Sequence, residues 1–217
     1  MIRLYGYWRS SAAYRVRIAL NLKGIEYEYV PVNLLRDGGE HRREEYRQLN
    51  PQQLVPTLVD GDVVLSQSVA IIEYLDEIFQ ARPLLPRDSL KRARVRQAAL
   101  SIACDIHPLN NSGVLSYLKN ELHADGKKIQ QWYQHWILKN FPALEDWAQA
   151  NRAEGKLFAG NEPGLADICL IPQVYNARRF KVFLDNFPNL LEIDRHCNEL
   201  KAFKQAAPEA QADANTD

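Results

Sequence analysis

Two serines, Ser10-Ser11, stand directly ahead of Tyr14, Val16, Ile18, Ala19, Leu20 and Leu22, an apolar pattern of helical period that closes on Lys23-Gly24. A helix start offers unbonded amides and the positive end of a dipole. Hydroxyls placed there can hold a thiolate and lower a thiol's pKa. A second polar pair, Gln67-Ser68, precedes Val69, Ile71, Ile72 and Leu75, with Ser68 at the expected N-cap. Between the two pairs lies Val55-Pro56. Proline has no N–H, so Val55 is expected to keep a backbone edge that no sheet neighbour need occupy. Ordinary N-capping accounts for either pair alone; two pairs flanking one open edge suit a peptide-like, anionic ligand. No cysteine occurs before Cys104, so a thiol at this place would have to come from outside the chain.

Cations for an acidic substrate are available in Arg9, Arg15, Arg17, Arg178 and Arg179. Arg9 immediately precedes the serines, and Arg179 ends a long helical stretch. Solvated or salt-bridged arginine is the competing reading for each. Arg15 and Arg17 are two residues apart and do not share a helix face. At most one is expected to point inward, and a structural salt bridge suits either. Trp8 either walls a pocket or packs between strand and loop. His107, before Pro108, can simply fill a kink, and His41-Arg42-Arg43-Glu44-Glu45 reads as a solvated face. Trp132, Trp136 and Trp147 lie at helical spacing and belong to a core. Cys104, Cys169 and Cys197 read as packing on helices.

The elements that carry these residues follow a β-α-β-α-β-β-α order. Ile2–Tyr7 reads as a strand, Ser11–Lys23 as a helix, Glu26–Val32 as a strand and Glu40–Leu49 as a short helix. Asp60-Gly61 between two apolar runs predicts a type I′ hairpin turn, and a helix starts at Ser68. A βαβ unit joined to a ββα unit on one mixed four-stranded sheet is the thioredoxin-like arrangement. The expected division is therefore residues 1–80 as this α/β domain, a linker over Gln80–Asp88, and an all-α domain over 89–207. Its helical stretches are Ser89–Ile106, Lys128–Ala150 (bent near Pro142), Leu165–Val182 and Asn189–Phe203. Residues 208–217 read as a disordered tail.

Lys+Arg and Asp+Glu both total 27 in the 217 residues, which gives no nucleic-acid footprint. No apolar run reaches the roughly 20 residues that span a bilayer. The first residues lack the pattern of a secretory leader. Three widely spaced cysteines, with no CxxC and no Cys/His cluster, predict a cytoplasmic protein without disulfides or metal.

Ser10-Ser11-Ala12-Ala13-Tyr14-Arg15-Val16-Arg17, Asn50-Pro51, Val55-Pro56-Thr57-Leu58 and Gln67-Ser68 resemble the zeta class of glutathione transferases. The likeness continues through Asp105–Asn111, Leu165–Leu170 and Arg179-Phe180. That class includes maleylacetoacetate isomerases and bacterial maleylpyruvate isomerases. The resemblance implies a cis Val55-Pro56 bond, glutathione as cofactor and a homodimer. It places Val55 against the cysteinyl unit, Gln67 and Ser68 on the γ-glutamyl carboxylate, and Asp105 on its ammonium. His41, His107 and Asn111 would line the pocket, and Ser10 or Ser11 would donate to the sulfur. Two positions depart from the family pattern: Ala12 stands where a cysteine is frequent, and Gly164 stands where Ser or Thr usually opens the capping box closed by Asp167.

The reaction so implied is cis–trans isomerisation of a maleylacetoacetate-type dicarboxylate, as in tyrosine and phenylalanine catabolism. A thiolate adds to the C=C bond, the resulting single bond turns, and elimination returns the thiol. Arg9 and Arg179 are the expected cations for the acid and its enolate. A general glutathione transferase or α-halo acid dehalogenase would use the same residues. A non-catalytic interaction module on the same fold would not need an intact thiol site.

Overall fold

The computed structural model describes residues 1–151 and 155–214. Two units divide the chain: Met1–Leu84 with the chain from Asn198 onward, and Leu85–Cys197.

The first unit is built on a four-stranded mixed sheet of order β2-β1-β3-β4, where β1 is Ile2–Gly6, β2 Tyr27–Pro31, β3 Thr57–Asp60 and β4 Val63–Ser66. β1 runs parallel to β2 and antiparallel to β3, and β3 is antiparallel to β4. Pro31 costs the sheet nothing because β2 is an edge strand. Ile2, Leu4 and Leu58 are buried in the same unit as Val16, Ile18 and Leu20 of α1 (Ser11–Lys23) and Ile71, Ile72 and Leu75 of α3 (Ser68–Ile78). α2 (Glu44–Leu49) is a short helix in the crossover, preceded by a 3-10 turn over Glu40–Arg42 rather than extending from Glu40. The hairpin turn sits one residue later than expected. Asp60 pairs with Val63, so the turn residues are Gly61 and Asp62, and only Gly61 (φ 58) has positive φ. Type I′ needs two such residues, and this turn has one.

In the second unit, α4 (Ser89–Leu100) passes into a π-helical segment, Ser101–Ile106, before Pro108. α5 (Ser112–Asn120), α6 (Gly126–Asn151), α7 (Leu165–Arg179) and α8 (Pro188–Glu199) follow. α6 runs through Pro142 as one helix, and α5 was not legible in the periodicity. Ile137, Phe141, Leu144, Ile168, Ile171 and Val174 are buried here, as is most of α7. Glu145 caps the start of α8, accepting hydrogen bonds from the backbone amides of Asn189 (2.9 Å) and Leu190 (3.0 Å). Asp167 accepts from the amides of Gly164 (2.9 Å) and Phe158 (3.0 Å). Gly164 has no side chain with which to complete the box, so only half of it forms.

The C-terminal segment corrects two expectations. The helix expected over Asn189–Phe203 breaks at Leu200, and α9 (Lys201–Ala206) packs on α1 in the first unit. Pro208–Ala214, expected to be disordered, is folded. Pro208 and Asp213 are buried, and Asp213 takes hydrogen bonds from the Trp8 amide (3.0 Å) and the Tyr29 hydroxyl (3.3 Å). A polar, Ala-rich composition hid a single buried carboxylate with two donors waiting for it. Residues 215–217 lie outside the described residues.

Candidate functional site

Sheet register gathers the first unit's candidate residues. Tyr5 near the end of β1, Thr57 at the start of β3 and Ser66 at the end of β4 lie side by side. The start of α1, the Val55-Pro56 bond and the start of α3 therefore leave one end of the sheet together. β2 is parallel to β1, with Gly6 opposite Pro31, so the loop carrying His41 leaves from that end as well. A hydrogen bond from Arg15 Nη1, in the second turn of α1, to Ser68 Oγ (3.3 Å) ties α1 to the start of α3.

Ser10 is the N-cap of α1, half-buried, and its Oγ accepts from the Ala13 amide at 3.2 Å. Accepting that bond leaves the hydroxyl proton to donate elsewhere and polarises it for donation. Ser11 is the first helical residue and is buried, 7% exposed. Arg9 donates to the Tyr7 hydroxyl (3.0 Å) and lies over the Trp8 ring, 4.8 Å from its centroid.

The Val55-Pro56 bond is cis, and Val55 precedes the first paired residue of β3. Its backbone makes no hydrogen bond among the described residues. Tyr46, which the sequence reading did not single out, and Asn50 hold the loop in front of it. Tyr46 Oη and Asn50 Nδ2 each donate to the Leu54 carbonyl at 2.7 Å and each reach the Thr57 hydroxyl. Asn50-Pro51 was visible as part of the family likeness; that the asparagine side chain reaches back over the loop was not.

At the second helix start the expected roles shift by one. Gln67, not Ser68, is the N-cap of α3, with φ 71 and ψ 109, and its side chain is exposed, donating to Gln52 Oε1 at 3.1 Å. A non-glycine residue in that region carries strain, and such strain collects where a ligand is clamped. Ser68 is buried as the first helical residue. His41 sits in the 3-10 turn with Nδ1 buried and without a hydrogen-bond partner. Burial, then the neighbouring Arg42, lowers its pKa and favours the neutral ring.

Asp105, His107, Asn111 and Arg179 belong to the second unit. Asp105 is exposed on the π segment, and His107 follows as its C-cap. Asn111 caps α5 by accepting from the Val114 amide at 2.9 Å. Arg178 pairs with the buried carboxylate of Asp194 at 2.6 Å. Arg179 is exposed, packs its guanidinium 5.3 Å from the Phe180 ring centroid, and helps line a groove with Gly126, Ile129, Gln130, Phe180 and Lys181.

The expectation for Arg15 and Arg17 is overturned: both are buried, at 2% and 0% exposed. α1 is covered on more than one side, by α3 and by α9. Arg17 donates to the carbonyls of Ala206 (2.9 Å) and Trp8 (2.9 Å), and burial lowers its pKa. The packing expectation for the cysteines holds for Cys169 and Cys197; Cys104 is exposed. Among the described residues no group of three or more His, Cys, Asp or Glu could hold a metal ion. No helix among them is long and apolar enough to cross a membrane.

Comparison with known proteins decides the family. Residues 4–83 match the model of the glutathione S-transferase N-terminal domain. A probable maleylacetoacetate isomerase of Vibrio cholerae is 49% identical over 211 residues, covering 97% of both chains. The chain belongs to the zeta class of glutathione transferases. The holo structure of maleyl pyruvate isomerase, a bacterial member of this class, superposes with a TM-score of 0.95 at 46% identity, covering 98% of this chain and 99% of that one. The maleylacetoacetate isomerase of Methylobacterium extorquens, solved with bound malonate and glutathione, gives 0.92 at 36% identity, covering 98% and 99%. Zeta-class membership covers both units, from the sheet to the folded C-terminal segment.

Proposed function

We propose that this chain is a glutathione-dependent cis–trans isomerase of maleylacetoacetate-type dicarboxylic acids. The observation that carries the reading is the end of the first unit's sheet. Two helix starts, an unbonded Val55 backbone and the orphaned His41 Nδ1 present donors and acceptors that a γ-glutamyl tripeptide would satisfy. Glutathione, when bound, supplies a thiolate that adds reversibly to the conjugated double bond and is returned when the bond has turned.

The chain's own residues do the rest. Val55 pairs with the cysteinyl backbone as an added strand, and Gln67 and Ser68 take the γ-glutamyl carboxylate at the start of α3. His41, neutral and with Nδ1 unpartnered, hydrogen-bonds the tripeptide. Ser10 is assigned the thiolate, because its hydroxyl is half-exposed and already polarised by the Ala13 amide, whereas Ser11 is buried. Arg9 holds a carboxylate or the developing enolate. From the second unit, Asp105, His107 and Asn111 contribute to tripeptide binding and Arg179 to the acid. A homodimer and a cytoplasmic location complete the reading.

Product analysis tests it. Incubation with glutathione and maleylacetoacetate or maleylpyruvate should yield the trans acid with the thiol concentration unchanged. Accumulation of a stable conjugate would assign the chain to the general transferases instead.

A further inference from the structure

We propose that Asp213, in the folded C-terminal segment, is a positioning residue for the loop that carries Arg9 and Ser10; this rests on the roles given to those residues above. The segment Tyr7-Trp8-Arg9-Ser10 joins β1 to α1 and has no ladder to hold it. Its middle is instead clamped at Trp8 on both sides of one residue. The Trp8 amide donates to Asp213 Oδ2 at 3.0 Å, and the Trp8 carbonyl accepts from Arg17 Nη2 at 2.9 Å. Arg17 in turn donates from Nε to the Ala206 carbonyl at 2.9 Å, so the end of α9 anchors the other arm of the clamp. Asp213 is buried, 7% exposed, and its charge favours the buried Arg17 cation. Tyr29 adds a second donor to the same oxygen at 3.3 Å, and burial pushes its phenol up, so that it stays protonated.

Trp8 is also the surface on which Arg9 lies, 4.8 Å from guanidinium carbon to ring centroid. Moving the Trp8 peptide therefore moves the cation and, two residues on, the N-cap hydroxyl. Displacements of about 1 Å at such groups cost about 100-fold in rate. A carboxylate that only stabilised the fold would contribute through all of its bonds alike. One that positions the loop acts through the Trp8 amide in particular, and that difference is measurable.

The test uses the full chain with three substitutions, Asp213→Ala, Asp213→Asn and Tyr29→Phe, and with Trp8→Phe as the spectral reference. Asp213→Asn keeps an acceptor for the Trp8 amide, and Tyr29→Phe removes the other donor while leaving that acceptor in place. Asp213→Ala should lower kcat about 10-fold or more, with glutathione affinity held within about twofold. The Trp8 emission, isolated by subtracting the spectrum of Trp8→Phe protein, should shift. Asp213→Asn should restore most of the rate, and Tyr29→Phe should lower thermal stability with kcat unchanged. Equal rate losses in Asp213→Ala and Tyr29→Phe, full activity in Asp213→Ala, or an unmoved Trp8 emission would overturn the assignment. Should the wild-type chain turn over no acid, the fault would lie with the proposed function. Asp213 would then stand or fall on the Trp8 emission and on the thiolate absorbance of bound glutathione.

Discussion

Arg15 and Ser68, 53 residues apart, meet by a hydrogen bond of 3.3 Å that joins the second turn of α1 to the first residue of α3. A buried guanidinium thereby lies against the start of α3, where the proposed reading puts the γ-glutamyl carboxylate. Replacement of Ser68 by alanine removes both a ligand donor and the acceptor of Arg15. Glutathione affinity should fall about 10-fold and stability by about 1–3 kcal/mol, read by calorimetric titration and thermal melting. A variant that melted lower but bound the tripeptide normally would remove Ser68 from the site.

The two serines should separate cleanly. Ser10→Ala deletes the half-exposed hydroxyl that the Ala13 amide polarises, and should raise the pKa of the bound thiol and lower kcat about 100-fold. Ser11→Ala should cost far less activity, since that side chain is buried. The ultraviolet absorbance of the thiolate against pH reads the first effect directly, and the reverse ranking would reassign the donor.

Arg9 donates to the Tyr7 hydroxyl and lies over the Trp8 ring, beside the serines at the start of α1. Arg9→Met should reduce turnover of the cis acid about 10-fold or more with glutathione binding nearly unchanged. Parallel loss of both, in steady-state kinetics and titration, would place Arg9 outside the substrate site.

Burial pushes the pKa of Asp167 up, from 3.8 to about 6, against the pull of the amides of Gly164 and Phe158. Its folded-state value lies above its unfolded one, so the fold binds the extra proton between the two. The stabilisation is complete below about pH 4 and is lost as pH rises through about 6, a change of a few kcal/mol. Asp167→Asn keeps an acceptor but does not titrate. Melting temperatures from pH 4 to 7 should fall more steeply for the wild type than for this variant, and parallel profiles would refute the shift.

The fold was legible wherever one residue type dictates one conformation. Gly24 at the end of α1, with φ 67, marked where the first helix stops, and the alternation over Glu26–Val32 marked β2. The site was legible where polar residues precede apolar periodic runs, as at Ser10-Ser11 and Gln67-Ser68. What periodicity could not express was burial on a second side. Arg15 and Arg17 both go inward because α9 returns from the far end of the chain to cover α1. The same long-range packing hid the role of Asp213, whose partners, Trp8 and Tyr29, are 205 and 184 residues away. The N-cap of α3 moved to Gln67 because the chain leaves β4 through a residue of positive φ, which no cap preference foretells.

The most direct measurement compares glutathione with S-methylglutathione, the same tripeptide without a nucleophile. Both should bind at the sheet end near Val55, and only glutathione should support conversion of the cis acid to the trans acid followed by its spectrum. Conversion with the S-methyl compound, or with no tripeptide present, would contradict the claim that the chain takes its nucleophile from outside.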